Sequence, residues 1–378
     1  MDTREKTALC ALNMVLGFEP KTAHALVGHS GSAAAVFEAS QREREEACPY
    51  NSKVKLLCGE DLLRAEDELS ALEIGGGDRC TFVPFGDECY PSALAECPDA
   101  PMGLYLKGNR PLQEVFDKRP YIAVVGTRDI SPYGREWCHE IVSALSRTPH
   151  SPHIVSGLAY GTDIIAHATA LDCGLPTIAV MATGIDRVYP YAHRGWAGRI
   201  ADAPGSCLLS DYPLGTVPLR INFLRRNRII AGLCSATILV ESKSKGGGLL
   251  TARLAFDYDR EVFALPGRVD DICSQGCNRL IREQVAHPVE SLDSLVEALG
   301  LGVPGPAGTV GCRVTCPGAS ESEVEAVLSS VRERCGATAD EISAMTGLPI
   351  KTTAAVTTML EADGLLSSDL LGRYCIRR

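Results

Sequence analysis

At 378 residues the chain exceeds what one small core holds, and two or three domains are expected. Apolar residues make up 45% and charged residues 22%, the balance of a water-soluble globular protein, and no run of about 18 apolar residues could cross a membrane. The formal net charge of -10 argues against indiscriminate nucleic-acid binding, but it permits a local basic groove, because each charge reaches only about 8 Å through salt.

The first residues, MDTREKTALC, lack a basic stretch followed by an apolar core, so no secretory signal is read and a cytoplasmic location is expected. Residues 1–80 read as a small helical bundle with an acidic surface. TALCALNMVLGF, AAAVFEASQ and VKLLCGEDLLRAEDELSALE place apolar residues three and four apart, and Gly75, Gly76 and Gly77 end the block. Residues 81–118 hold short apolar runs broken by Pro and Gly, read as two short strands and a turn.

From about 119 to 290 strands alternate with helices. The apolar runs YIAVVG (121–126), HIVSG (153–157), TIAVMATG (177–184), SCLLSDYP (206–213), ATILVES (236–242) and REVFALPG (260–267) do not alternate with polar residues. Strands of that kind are buried on both faces, so the fold class is α/β with a mostly parallel sheet. Residues 301–319 are rich in Gly and Pro and read as a linker. Residues 320–378 read as helix, helix, turn at Gly347, helix and hairpin, a winged-helix-like unit. The expected domains are therefore 1–80, 81–300 and 320–378, joined by 301–319.

Ligands of open parallel sheets bind beyond the carboxyl ends of the strands, and four such ends carry informative turns. In VVGTRDISPYG, Gly126 allows a sharp turn and Arg128 follows; the dinucleotide fingerprint is absent, and an ordinary strand-to-helix turn is the plain alternative. In VSGLAYGTDIIAHATAL, Gly157 and Gly161 bracket a tight loop, and Thr162 or Asp163 can cap the next helix. Asp163 and His167 share a helical face; acid/base chemistry is conceivable, but structural support of neighbouring loops is the preferred role, since no nucleophile stands near. In ATGIDRVYPYAHR, Asp186, Tyr189 and Pro190 form a turn, with loop packing the reading for Tyr189. In ESKSKGGGLLTARLAF, Lys243, Lys245 and Gly246, Gly247 and Gly248 precede a helix and form a candidate anion nest; the Gly-Lys-Ser/Thr ending is absent, which disfavours ATP.

FLRRNRIIAGL is the densest signal. Arg220, Arg225, Arg226 and Arg228 fall at the start of a helix whose Ile229, Ile230 and Leu233 are spaced for burial. Cations at a helix start oppose the macrodipole, so an anion in front of them, a phosphate above all, would offset the cost. Phe223 offers either a ring for a base to stack on or a core anchor, and Asn227 is suited to bracing the loop. Sixteen cysteines occur without a Cys-x-x-Cys pair, and most, such as Cys138, Cys207 and Cys234, lie in apolar runs; reduced buried thiols are expected, with no metal site and no cofactor.

Taken in order, VVGTRDISPYG, VSGLAYGTDIIAHATAL, TIAVMATGIDRVYP, LLSDYP, FLRRNRIIAGL, GGGLLTARLAF and REVFALPG resemble the DNA processing protein A family (DprA, also called Smf) over roughly residues 80–290. The resemblance implies an extended Rossmann-like domain that binds single-stranded DNA without sequence preference. It also implies a homodimer, loading of the recombinase RecA in natural transformation, other competence or single-strand-binding proteins as partners, and no enzymatic role. DNA-contact candidates carried over by motif are Arg128, Phe223, Arg225, Arg226, Asn227 and Arg228, with Arg220, Lys245 and Gly246 to Gly248 beside them; Gly126, Ser156, Gly157, Gly161, Asp163 and His167 are expected to support the loops. The chain departs from the family pattern at Leu224, where Pro is usual, and at Gly246 to Gly248, where Ser-Gly-Ser is usual.

Residues 319–378 carry 9 acidic and 6 basic side chains, which favours a protein-contact or regulatory role for that unit over DNA binding. A nucleotide-processing enzyme like the LOG-type phosphoribohydrolases is the alternative function; its Pro-Gly-Gly-x-Gly-Thr-x-x-Glu block is absent. An NAD-dependent oxidoreductase lacks its glycine fingerprint, and a transcription regulator would have to act through the C-terminal unit.

Overall fold

A computed structural model describes residues 1–49, 51–76, 79–109, 115–302, 321–334, 336–362, 366–368 and 372–376. The chain forms two compact units, Met1–Ala307 and Gly308–Arg378. Among the described residues no helix is long and apolar enough to cross a membrane.

The first unit begins with helices α1 (Thr3–Leu16), α2 (Pro20–Ser30), α3 (Ala33–Glu38), α4 (Gln41–Ala47) and α5 (Gly59–Gly76). Their starts carry local signals: Ser32 accepts from the amide of Ala35, and Ser40 with Glu43 forms a reciprocal capping box. Leu9, Leu12, Leu16, Leu26 and Val36 close a core among these helices, which Met102 joins, and a second face packs on the sheet. Cys10, Ala11, Ala65 and Leu72 pack on Phe82 and Tyr105 of the sheet, whose rings meet edge to face at 5.0 Å. The helical block and the sheet are therefore one hydrophobic body.

The sheet follows as β1 (Cys80–Pro84), α6 (Ser92–Ala95), β2 (Gly103–Gly108), β3 (Tyr121–Val125), α7 (Pro132–Ser146), β4 (His153–Ser156), α8 (Thr162–Asp172), β5 (Thr177–Val180), α9 (Arg194–Asp202), β6 (Cys207–Ser210), α10 (Arg220–Leu233), β7 (Ala236–Leu239), α11 (Gly247–Asp257), β8 (Glu261–Ala264), α12 (Gln275–Arg282), β9 (His287–Pro288) and α13 (Leu292–Ala298). Its order is β1-β2-β6-β5-β4-β3-β7-β8-β9. Strands from β6 to β9 pair in parallel, while β1 and β2 add an antiparallel edge. Every residue of β4, β5, β6 and β7 is buried, as their unbroken apolar runs require. The two short strands expected over 81–118 are β1 and β2.

From β3 the chain runs to β4, β5 and β6 on one side, then returns to β7 and β8 on the other. That reversal leaves a crevice beyond the carboxyl ends of β3 and β7, where ligands of this architecture bind.

The second unit has α14 (Glu321–Glu333), β10 (Ala337–Thr338), α15 (Ala339–Thr346), α16 (Ile350–Ala362), β11 (Leu366–Ser368) and β12 (Arg373–Ile376), with the strands in antiparallel order β10-β12-β11. Thr338 and Glu341 box the start of α15, and Gly347, at φ 70°, ends it in the left-handed conformation that glycine tolerates best. The expected linker falls, beyond Leu301 and Gly302, outside the described residues.

Candidate nucleic-acid interface

The crevice at the strand-order reversal opens as a cleft of about 510 Å³. Its floor is made by two loops that meet backbone to backbone. Gly126 follows β3, and a Cβ there would stand 2.3 Å from Thr162 Oγ1; a Cβ on Gly248, at the start of α11, would stand 3.0 Å from the Gly126 Cα. Neither loop could sit so low with a side chain in the way. No side chain caps α11, whose extended Gly246 precedes the first turn. That turn therefore offers amide donors and the positive end of the helix dipole to the cleft.

Helix α10 forms the wall, and it distributes its residues in three directions. Arg220, Phe223 and Asn227 line the cleft. Arg220 is exposed, as are Arg128 on the β3 loop and Lys245 on the glycine loop. Among the described residues none of these three cations has a carboxylate within ion-pair distance. Arg128 lies over the Phe223 ring at 5.3 Å, and Tyr189, which is 46% exposed, meets the same ring edge-on at 5.5 Å. The Asn227 amide donates to the Gly247 carbonyl at 3.4 Å, bracing the glycine loop against the wall. Lys243 reaches the mouth as well, but its ammonium pairs with Asp129 at 3.1 Å.

Three of the expected DNA contacts hold internal hydrogen-bond partners, and two of them, Arg225 and Arg228, lie outside the cleft lining. Arg228 is buried; it pairs with Asp211 and donates to the Asp99 carbonyl, away from the cleft. Burial alone would lower its pKa, yet Asp211 and Asp99 hold it above the ordinary value. Arg226 is also buried but does line the cleft, at its base, where it donates to the carbonyls of Gly157 at 2.8 Å and Val180. Burial pushes its pKa down to about 10, against the pull of Asp163. Arg225 turns to the N-terminal helices, donates to the Gly17 carbonyl at 3.0 Å and covers the Phe18 ring at 4.2 Å. The physical reason is helical geometry: successive residues are about 100° apart, so adjacent arginines cannot share one rim.

The supporting residues gather around Arg226. Gly157 leaves room for the guanidinium, which a Cβ there would meet at 2.5 Å. Ser156 donates to the Val124 carbonyl at 2.7 Å, tying β4 to β3. Gly161, at φ 76°, heads α8, so neither Thr162 nor Asp163 serves as its cap. Asp163 instead accepts the Ala159 amide at 3.2 Å from the preceding loop, and burial raises its pKa while Arg226 lowers it. His167 bonds Thr177 Oγ1 at 2.7 Å, and Thr177 donates onward to the Ile154 carbonyl. It thus fixes β5 and β4 rather than a loop, and burial followed by the Arg226 charge pushes its pKa down to about 3.

Sequence reasoning missed Tyr189 as a cleft residue. The signal available was its position in a turn past the end of β5, on the ligand side of the sheet. Asp186, from the same turn, accepts the Gly215 amide at 2.9 Å and acts as a loop brace. Among the described residues no cluster of His, Cys, Asp and Glu could hold a metal ion. Cys138, Cys207 and Cys234 are buried, and burial pushes their thiols well up, which suits packing rather than reactivity.

Comparison with known proteins agrees with the fold. The DNA recombination-mediator protein A family matches residues 81–300. DNA processing protein DprA of Streptococcus pneumoniae is 42% identical over 213 residues, which is 56% of this chain and 72% of that protein. The X-ray structure of the Streptococcus pneumoniae protein superposes with a TM-score of 0.64 at 32% identity, covering 79% of this chain and 98% of that one. DNA processing protein A of Helicobacter pylori, solved to show its single-stranded DNA binding mode, superposes with a TM-score of 0.52 at 28% identity, covering 59% of this chain and 97% of that one. With the matched span coinciding with the sheet and its cleft, the chain belongs to the DNA recombination-mediator protein A family.

Proposed function

We propose that the cleft beyond β3 and β7 binds single-stranded DNA without regard to sequence. The observation that carries this reading is the set of exposed cations that have no carboxylate partner among the described residues, Arg128, Arg220 and Lys245, around the Phe223 ring and the uncapped start of α11. Guanidinium and ammonium groups with free donors suit phosphate oxygens, and the ring offers a face to any base. Lack of sequence preference follows from this chemistry: a stacking ring does not distinguish bases by hydrogen bonds, and Asn227, the amide side chain best placed to read one, already donates to Gly247.

Family membership supports a role in recombination. The strand held in the cleft is handed to the recombinase RecA during DNA uptake, the working species is a homodimer, the compartment is the cytoplasm, and the site binds without catalysing a reaction. The nucleotide-processing alternative gains no support from the cleft, whose buried carboxylate, Asp163, accepts a backbone amide.

The test is an anisotropy titration of single- and double-stranded oligonucleotides at several salt concentrations. The native chain should prefer single strands of any sequence, and Arg128→Glu with Arg220→Glu should abolish that preference. Undiminished binding by the double variant would sink the reading. Incubation with nucleoside monophosphates should release no base.

A further inference from the structure

A second groove of about 510 Å³ opens on the other side of Leu224, the one residue that lines both it and the cleft among the described residues. Its walls come from the turn after α1, the first turn of α2 and the outer faces of α10 and α11: Phe18, Lys21, Leu224, Arg225, Leu250 and Leu254. Phe18 and Leu224 are 42% and 43% exposed, so a substantial apolar surface faces solvent here.

The groove carries a small positive excess, Lys21, Arg225 and Arg228 against Glu19 and Asp99. Glu19 is taken by Lys53 at 2.8 Å, Asp99 accepts the Tyr258 hydroxyl at 2.7 Å, and Arg228 is committed to Asp211. Arg225 and Lys21 remain; among the described residues neither has a carboxylate within ion-pair distance. Partial burial and the neighbouring Arg228 lower the pKa of Arg225, and Tyr212 and Asp211 oppose them only in part, so an anion in front of the guanidinium would be favourable. A planar guanidinium over an aromatic ring, with aliphatic side chains beside it, is also the surface on which a nucleobase stacks.

We propose that this groove is a second nucleotide subsite, in which the strand leaving the cleft crosses Leu224, sets a phosphate against Arg225 and Lys21, and lays a base against the Phe18 and Arg225 platform. The inference rests on the cleft being the single-strand site. Continuity across Leu224 and the net positive charge of the groove select this occupant over a protein segment, for which apolar area alone would have sufficed. The sequence placed Arg225 among the DNA contacts; this assignment keeps that role but moves it into the adjoining groove.

The test uses the full-length chain and oligothymidylates of two lengths, about 6 and about 15 nucleotides, within the range that small single-strand sites occupy. Phe18→Ala with Arg225→Gln should weaken the longer oligonucleotide about five-fold or more and leave the shorter unchanged, and the log–log salt slope for the longer should fall by about 0.7. Lys21→Glu, on the exposed rim, repeats the test without touching packing and should show the same length dependence. Equal loss at both lengths, or no loss at either, overturns the second subsite. Failure of Arg128→Glu with Arg220→Glu to weaken the shorter oligonucleotide overturns the cleft reading instead, so the two failures are distinguishable. A photoreactive residue in place of Lys21 should cross-link to the longer strand; adducts only to another polypeptide would overturn the assignment.

Discussion

Arg220 and Arg228 belong to the same helix and play opposite parts. Arg220 stands in solvent at the cleft wall with no carboxylate partner among the described residues, while Arg228 is 6% exposed and bound to Asp211. The sequence groups both in one cationic cluster. The difference lies in what waits opposite each guanidinium: water in front of Arg220, and the end of β6 in front of Arg228. A cation with an internal partner belongs to the fold, and one without a partner is available to a ligand.

The comparison breaks most visibly at its buried end. Arg228→Ala leaves Asp211 charged and unpaired in the interior, and should cost about 3–5 kcal/mol of stability in chemical denaturation. The folded fraction should bind DNA much as before. A loss of binding without a loss of stability would place Arg228 at the ligand and contradict the distinction.

Acid should act through the same interior. The fold accepts His167 only as the neutral imidazole: its pKa is pushed down to about 3 from 6.5, and that of His153, also buried, to about 4. The unfolded chain takes up protons that the native chain refuses. Their contribution is therefore whole above about pH 6.5 and is lost as pH falls toward these lowered values, at up to about 1.4 kcal/mol per pH unit for each group. His167→Gln should make stability fall less steeply with falling pH between about 6 and 5, measured by denaturant titration.

Next in size is the aromatic floor of the cleft. Phe223→Ala should weaken single-strand binding by about 1–3 kcal/mol if a base stacks there, with affinity losses similar for oligonucleotides of different sequence. The smallest change sharpens the exposed end. Arg128→Gln and Arg220→Gln, taken singly, should leave stability within about 0.5 kcal/mol and lower the single-strand salt slope by about 0.7 each. Unchanged slopes would remove these side chains from the phosphate path.

The parallel sheet was legible because burial on both faces writes itself as unbroken apolar runs, as in YIAVV and ATILV. The cleft was legible at its glycines, since Gly126 and Gly248 mark backbone too close for side chains. What could not be read was direction. The spacing of Arg225, Arg226 and Arg228 gives their angles about the helix, but not the carboxylate of Asp211 or the carbonyls of Gly157 and Val180 that claim them, because those partners come from distant strands. Tyr189 was hidden for the same reason: a turn residue enters the site only once β5 is placed beside β4.

The antiparallel edge of the sheet carries a consequence for handling the molecule. Among the described residues β1 has a neighbour on one side only, and Phe82 and Tyr105 are 2% and 0% exposed because α1 and α5 lie over them. Trimming the chain at residue 79 would strip both aromatic side chains bare next to an unprotected row of peptide groups, the condition under which sheets stick to one another. The leading helices thus work as a built-in solubility shield, and a shortened version should precipitate rather than yield a smaller working protein.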